Sequence, residues 1–324
     1  MIPLRVGVIG VGYLGKFHAE KYARMNDVEL VGVVDIIAER GQRVGKEFGT
    51  ESFTDYRDFI DRVDAVSVVV PTPLHFPISR DFLEHGVDVL IEKPIAETLE
   101  EAEVLIEVAA SRGAVIQVGH LERFNPAVVA LTDVIDRPLF IESHRLSVFK
   151  ERGTEVNVVL DLMIHDIDII LSLVKSQLQH IHAAGVPVIS SRVDIANARL
   201  VFENGCVANV TASRISLKDM RKIRIFQKDA YVSVDYSSHD ITIIRRDGQG
   251  IDLPIPGMSM ERSTFEKSDA LWAELRSFVD AVKTRQAPLV SGHDGRNALG
   301  VALDIVEQIE ASSKKVLAEE SPLS

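Results

Sequence analysis

Gly10-Val11-Gly12-Tyr13-Leu14-Gly15 stands directly after one apolar run and directly before an amphipathic one. Glycines at this spacing let the chain turn sharply, let a pyrophosphate approach the backbone and let the next helix pack on the strand. The helix start, with Tyr13 and Leu14, then offers amides and a partial positive charge to phosphate oxygens. Asp35 ends the second apolar run, about 20 residues on, where a carboxylate can accept both hydroxyls of an adenosine ribose. Together these predict a dinucleotide site rather than a plain tight turn. The same carboxylate would repel a 2′-phosphate at about 4 Å by roughly 1 to 4 kcal/mol. Ile36 and Ile37 supply no compensating arginine, so NAD is expected over NADP.

Two further groups carry chemistry. Glu92-Lys93-Pro94 closes a later apolar run at its C-terminal end, the edge where open α/β sheets hold ligands. Taken alone, Lys93 reads as an exposed ion pair before a turn. The segment Pro71-Thr72-Pro73-Leu74-His75, ending the preceding run on the same rim, shifts the reading toward a site. Asn157, Asp161, His165 and Asp168 lie at spacings of four and three among Val, Leu, Met and Ile. On a helix they form one stripe. They read either as caps and core-satisfied groups, or as a general base oriented by an acid that fixes the imidazole tautomer.

The elements that must position these residues follow from periodicity. Between residues 4 and 119, apolar runs at 6–9, 30–34, 65–70, 87–91 and 114–118 alternate with helix-like segments at 14–25, 38–48, 75–84 and 99–111. That alternation predicts a parallel sheet covered by helices. Thr98 with Glu101 makes a capping box for the last helix. After His120 come a strand at 140–148, a helix at about 156–174, and period-two segments from about 180 to 252. Asn204-Gly205, Lys228-Asp229 and Asp247-Gly248 mark turns between those segments, as in hairpins. Helices at about 268–284 and 294–313 close the chain and could pack on either domain. The reading is an α/β protein: a doubly wound nucleotide-binding domain over 1–120 and a second domain over 121–324.

Composition narrows the classes. The 324 residues carry 36 Lys+Arg and 48 Asp+Glu, a net charge of −12, which argues against nucleic acid and anionic lipid as partners. An apolar content of 46% excludes a disordered chain and suffices for two cores. No apolar run spans a bilayer, and Met1 to Gly15 reads as a buried strand because no small-residue cleavage site follows it. A single cysteine, Cys206, reads as a core filler and suits a reducing compartment, so a cytoplasmic protein is expected. His18, His85, His180, His182, His239 and His293 read as surface or packing residues. Absence of a Cys/His cluster, a G-x-S-x-G elbow and a phosphate-transfer loop argues against a zinc site, a serine hydrolase and a kinase.

The ordered set of the glycine turn, Pro71-Thr72-Pro73-x-His75, Glu92-Lys93-Pro94 and Asp161-x-x-x-His165-x-x-Asp168 resembles the Gfo/Idh/MocA oxidoreductases. The resemblance implies a Rossmann domain followed by an α/β domain with a large, open, mostly antiparallel sheet that often mediates dimer or tetramer contacts. It implies that Lys93 hydrogen-bonds the reacting hydroxyl, that His165 removes its proton and that Asp161 orients His165, while Asp168 is structural. It also implies that Pro71, Thr72, His75 and Glu92 line the cofactor near the nicotinamide.

Val158, Val159, Leu160 and Met163 stand where many members carry glycines, a departure from free-sugar enzymes. With Gly119-His120-Leu121-Glu122-Arg123-Phe124-Asn125-Pro126 before it, the helix looks most like that of members acting on nucleotide amino sugars. That implies oxidation of C3 of UDP-N-acetylglucosamine to the 3-keto sugar, on the route to the diamino sugar of lipid A. His120 and Asn157 would meet the sugar. Arg123, Arg145, Lys150 and Arg152 would hold the diphosphate, or are ordinary solvated charges. Two other readings stand beside this one: an inositol or free-sugar dehydrogenase, and a non-catalytic NAD-sensing regulator.

Overall fold

A computed structural model describes residues 2–149, 156–246, 251–266 and 268–319. The chain forms two compact units, one made of Met1–Phe124 with Asp269–Leu299, the other of Asn125–Ser268 with Gly300–Ser324.

The first unit runs β1 (Leu4–Ile9), α1 (Tyr13–Ala23), β2 (Val28–Val34), α2 (Ala38–Phe48), β3 (Glu51–Phe53), β4 (Ala65–Val68), α3 (His75–Glu84), β5 (Asp88–Glu92), α4 (Leu99–Arg112) and β6 (Ile116–Gly119). All the pairings are parallel, and the strand order is β3-β2-β1-β4-β5-β6. The order reverses between β1 and β4, which places a ligand crevice at the C-terminal ends of those strands. Val6, Val8, Ala65, Val66, Val89 and Leu90 are fully buried, as strands covered on both faces require. β3 is absent from the sequence reading, since three residues are too few to show a period. The predicted capping box is present: Glu101 N–H donates to Thr98 Oγ1 at 3.2 Å, and Thr98 N–H to Glu101 Oε2 at 3.4 Å.

The second unit contains one-turn helices α5 (Pro126–Val129) and α6 (Leu131–Val134), then β7 (Phe140–Leu146) and, after a π-helical turn over Val159–Met163, α7 (Ile164–Val174). Eight more strands follow: β8 (Leu178–Val186), β9 (Ile195–Phe202), β10 (Val207–Ser213), β11 (Met220–Gln227), β12 (Ala230–Asp235), β13 (Asp240–Arg246), β14 (Ile251–Asp252) and β15 (Met258–Thr264). With β7 they form a nine-stranded sheet in the order β14-β15-β13-β12-β11-β7-β10-β9-β8. Only β7 with β10 is parallel among these pairs. Alternation is clear: Ala196, Ala198, Leu200 and Phe202 of β9 point inward with Ala208, Val210 and Ala212 of β10. Asn204-Gly205 makes the β9–β10 turn, with Gly205 at φ 84°. Asp247-Gly248 lies outside the described residues.

Two helices complete the chain, α8 (Ala270–Thr284) and α9 (Gly292–Glu319). α8 belongs to the first core: Leu275, Phe278, Val279 and Val282 pack with Tyr22, Val6 and Val8. Among the described residues, no helix is long and apolar enough to cross a membrane.

Candidate active site

The turn after β1 follows the physics that its glycines imply. Gly10 sits at φ 84°, and a Cβ there would lie 2.4 Å from the Val69 carbonyl oxygen. A Cβ on Gly15 would fall 1.8 Å from the Gly10 carbonyl oxygen, so this glycine lets α1 seat against the strand. Gly12 differs. A Cβ there meets nothing nearer than Arg40 Nη1 at 4.0 Å, so the space over the turn is open to a group that is not protein. No side-chain hydrogen bond caps α1 at Gly12. The exposed Tyr13 and Leu14 flank the opening. This arrangement fits a dinucleotide diphosphate.

Asp35 is buried, and its carboxylate is fixed from two sides: Val11 N–H donates to Oδ2 at 3.1 Å and Ile37 N–H to Oδ1 at 2.9 Å. Sequence reasoning found no nearby cation, yet Arg40 Nη1 approaches Oδ2 at 3.3 Å. Arg40 is five residues on, in the first turn of α2, and the turn of the helix brings it back over the acid.

The rim of β4 and β5 carries Pro71, Thr72, Glu92 and Lys93. Pro71 is exposed, and Thr72, Glu92 and Lys93 are half-buried. The Lys93–Pro94 peptide is cis. His75 takes a different place from the cofactor-lining one that the resemblance implies. It is buried, with Nδ1 2.8 Å from the Pro94 carbonyl and Nε2 2.9 Å from the Val70 carbonyl, so it braces the two rim loops. Burial holds its imidazole below the usual histidine range, against the pull of those two carbonyls. His120 is also buried, just past β6, where its N–H donates to the Val118 carbonyl at 2.8 Å. Arg123 is half-buried and donates from Nη2 to the Leu289 carbonyl at 3.4 Å.

His18, read as a surface or packing residue, is a packing residue, but one that faces an acid the sequence reading did not assign to it. It is wholly buried on α1 with Nε2 3.2 Å from Glu92 Oε1. The signal was available: His18, Ala19 and Tyr22 are the sheet-facing stripe of α1, and a polar residue on such a stripe needs a partner.

In the second unit, Asp161 lies inside the π-helical turn, a local widening found disproportionately at functional sites. The turn replaces the uniform α-helical stripe expected from the sequence. His165 follows in the first turn of α7 and, like Asp161, is half-buried, whereas Asp168 is buried. Asn157 opens the segment as its cap: its Oδ1 accepts Val159 N–H at 3.0 Å. Arg145, expected at a diphosphate, is instead buried on the inner face of β7 against Asp166, Nε to Oδ2 at 2.6 Å. Residue 145 shares the inward face of β7 with Ile141 and Ser143, an alternation signal that the sequence reading left unused, and a buried guanidinium demands an acid. Lys150 and Arg152 lie outside the described residues.

A second acid that the sequence did not single out prepares this helix. Asp194 Oδ2 accepts the N–H groups of Val188, Ile189 and Ser190 at 2.8, 2.7 and 2.9 Å. These bonds and that of Ser190 Oγ outweigh burial and hold its carboxyl down at about 2. Arg214 Nε lies 3.9 Å from Asp194 Oδ1, and its Nη2 donates to the Val156 carbonyl ahead of the π-helical turn.

Comparison with known proteins agrees with these elements. A profile described as oxidoreductase family, NAD-binding Rossmann fold, matches residues 4–120, and that of the Gfo/Idh/MocA C-terminal domain matches 137–233. The chain is 39% identical to the UDP-N-acetylglucosamine 3-dehydrogenase of Acidithiobacillus ferrooxidans over 96% of its own length and 99% of the relative's. A solved structure of that protein superposes with a TM-score of 0.91, covering 96% of this chain and 99% of the other. The chain is also 26% identical to the scyllo-inositol 2-dehydrogenase (NAD(+)) of Bacillus subtilis, over 93% of this chain and 92% of that one.

Proposed function

This chain belongs to the Gfo/Idh/MocA oxidoreductases, and from that premise we propose that it oxidises C3 of UDP-N-acetylglucosamine, with Lys93 and His165 acting on the reacting hydroxyl. It is an NAD-dependent dehydrogenase of CH–OH donors. The Gly10–Gly15 turn would hold the diphosphate and Asp35 the adenosine ribose, while Pro71, Thr72, Glu92 and Lys93 border the nicotinamide. When bound, NAD supplies the acceptor for the hydride that leaves the carbinol carbon. His165 takes the hydroxyl proton, and Asp161 holds the imidazole in the tautomer able to receive it. The Lys93 ammonium donates to the same oxygen and stabilises the charge that develops there. Half-buried Arg123 meets the nucleotide sugar, while His120, expected there, is buried just past β6 and acts from behind it.

One observation carries the choice of substrate: 39% identity, spread over 96% of this chain, with a relative named for that reaction. The 3-keto product is of the kind that an aminotransferase converts into the diamino sugar of lipid A, within the cytoplasm. The outer face of the nine-stranded sheet carries a row of rings, Phe140 to Phe226 at 5.7 Å and Phe226 to Tyr231 at 5.0 Å, which supports a homo-oligomer.

An inositol or free-sugar reaction is the second reading. It is favoured by the use of Arg145 within the fold and by the inositol dehydrogenases among the relatives. NADH absorbance with UDP-N-acetylglucosamine, N-acetylglucosamine and myo-inositol separates the two. Turnover is expected only with the UDP-sugar, and turnover with myo-inositol alone would reverse the assignment. Lys93→Ala and His165→Ala should each lower kcat by about 10²–10⁴ while NAD still binds. Unchanged turnover in either variant removes that residue from the chemistry.

A further inference from the structure

Behind Lys93, three ionisable side chains from three elements converge inside the first unit. His18 comes from α1, Glu92 from the end of β5 and Glu274 from α8; one ligand atom of each lies within 4.8 Å of the others. His18 and Glu274 are wholly buried. Neither ring nitrogen of His18 and neither carboxyl oxygen of Glu274 has an aligned hydrogen bond among the described residues. Glu92 links the cluster to the site. Its Oε1 faces His18 Nε2 at 3.2 Å, and its Oε2 accepts the backbone N–H of Lys93 at 3.3 Å. Gly119 on the adjacent strand leaves room for this carboxylate, because a Cβ there would stand 3.1 Å from Oε2.

Two carboxylates this close in a dry site cannot both stay ionised without a cation or a proton between them. The cationic groups around the pair bear on Glu92 and not on Glu274. Lys93 and His75 act on Glu92, Tyr22 lies toward Glu274 with its hydroxyl 2.9 Å from Ser67 Oγ, and Gln117 Nε2 donates to the Glu274 backbone carbonyl at 3.1 Å. Burial first, then the Glu92 charge, drives the Glu274 carboxyl well above the ordinary range. Contact with His18 and Lys93 prevails over burial and keeps Glu92 below it.

We propose that Glu274 is a positioning residue that stays protonated, so that of the two carboxyl groups only Glu92 is charged, and that the His18–Glu92–Glu274 cluster fixes the backbone of Lys93. The triad ties the phosphate-turn helix, through His18, to the strand that presents Lys93. The inference deepens the proposed role of Lys93 and rests on it.

The test uses Glu274→Gln and Glu274→Ala in the full-length enzyme. Gln keeps a neutral donor and should retain at least a third of kcat, whereas Ala should lose tenfold or more in kcat with KM for NAD within twofold. A group whose folded-state pKa is raised stabilises fully below its ordinary value near 4.5 and loses that contribution as pH rises. The melting temperature of Glu274→Gln minus that of the parent should therefore grow steadily from pH 5 to pH 9. A constant difference, or loss of activity in Gln as deep as in Ala, overturns the proposal. So does one equivalent of divalent metal that copurifies with the parent and disappears in Glu274→Gln. Should Lys93→Ala retain full turnover, the reading of Lys93 fails, while the pH signature of Glu274 still reports on the shared proton.

Discussion

Arg145 and Asp166 form a buried ion pair, Nε to Oδ2 at 2.6 Å, that fastens α7 to β7 next to the residue proposed as general base. Ser143 Oγ donates to the other carboxylate oxygen at 2.8 Å, and the guanidinium carbon sits 5.7 Å from the centre of the Tyr236 ring. Removing one partner strands a charge in the core. Asp166→Ala should cost about 3–5 kcal/mol of stability, and Arg145→Met with Asp166→Leu far less. Urea unfolding midpoints check this: equal losses in the single and double variants would mean that the pair's charge is not what matters.

The glycine turn gives a separable pair of outcomes. Gly15→Ala forces a Cβ to 1.8 Å from the Gly10 carbonyl and should lower the melting temperature, because backbone must shift. Gly12→Ala meets only open space and should leave melting unchanged in the absence of NAD. NAD affinity should nevertheless fall at least tenfold, since the added methyl occupies the approach of the diphosphate. Calorimetric titration with NAD separates the two, and unaltered affinity in Gly12→Ala would move the diphosphate elsewhere.

Cofactor choice rests on Asp35 and its neighbour Arg40, whose Nη1 lies 3.3 Å from the carboxylate. Asp35→Ser should remove the charge that repels a 2′-phosphate and release a guanidinium already in place. Relief of roughly 1–4 kcal/mol corresponds to about a fivefold to several-hundredfold gain in kcat/KM with NADP. Adding Arg40→Ala should reduce that gain, leaving only the part due to the lost repulsion. Initial rates with both cofactors decide it.

Asp194 sets an acid limit on the second unit. Its folded carboxyl sits at about 2, below the ordinary 3.8, so it adds stability that is complete above the ordinary value and disappears as pH falls through the folded one. Stability of the parent should drop from pH 4 to pH 2 more steeply than that of Asp194→Asn. Parallel unfolding curves over that range would show that the three backbone donors do not select the charged form.

Much of the fold was legible because its signals are local. Continuous apolar runs marked β1 and β4, a period of about 3.6 marked α2 and α3, the capping box marked α4, and Asn204-Gly205 marked a hairpin. The glycine turn with Asp35 was equally legible, since residue types at fixed spacing suffice for a phosphate-binding turn. What stayed hidden depended on convergence from distant sequence. Nothing near His18 points to Glu274, 256 positions away, and nothing near Arg145 names Asp166; each side chain alone reads as a surface charge or a packing residue. The sequence alone determined which elements form and where a dinucleotide turn stands. The tertiary structure decided which charges are buried together, sending Arg145 into the core and His75 into bracing two loops. The reason is physical: a charge's role depends on what shares its desolvated space, and packing, not chain order, assigns that company.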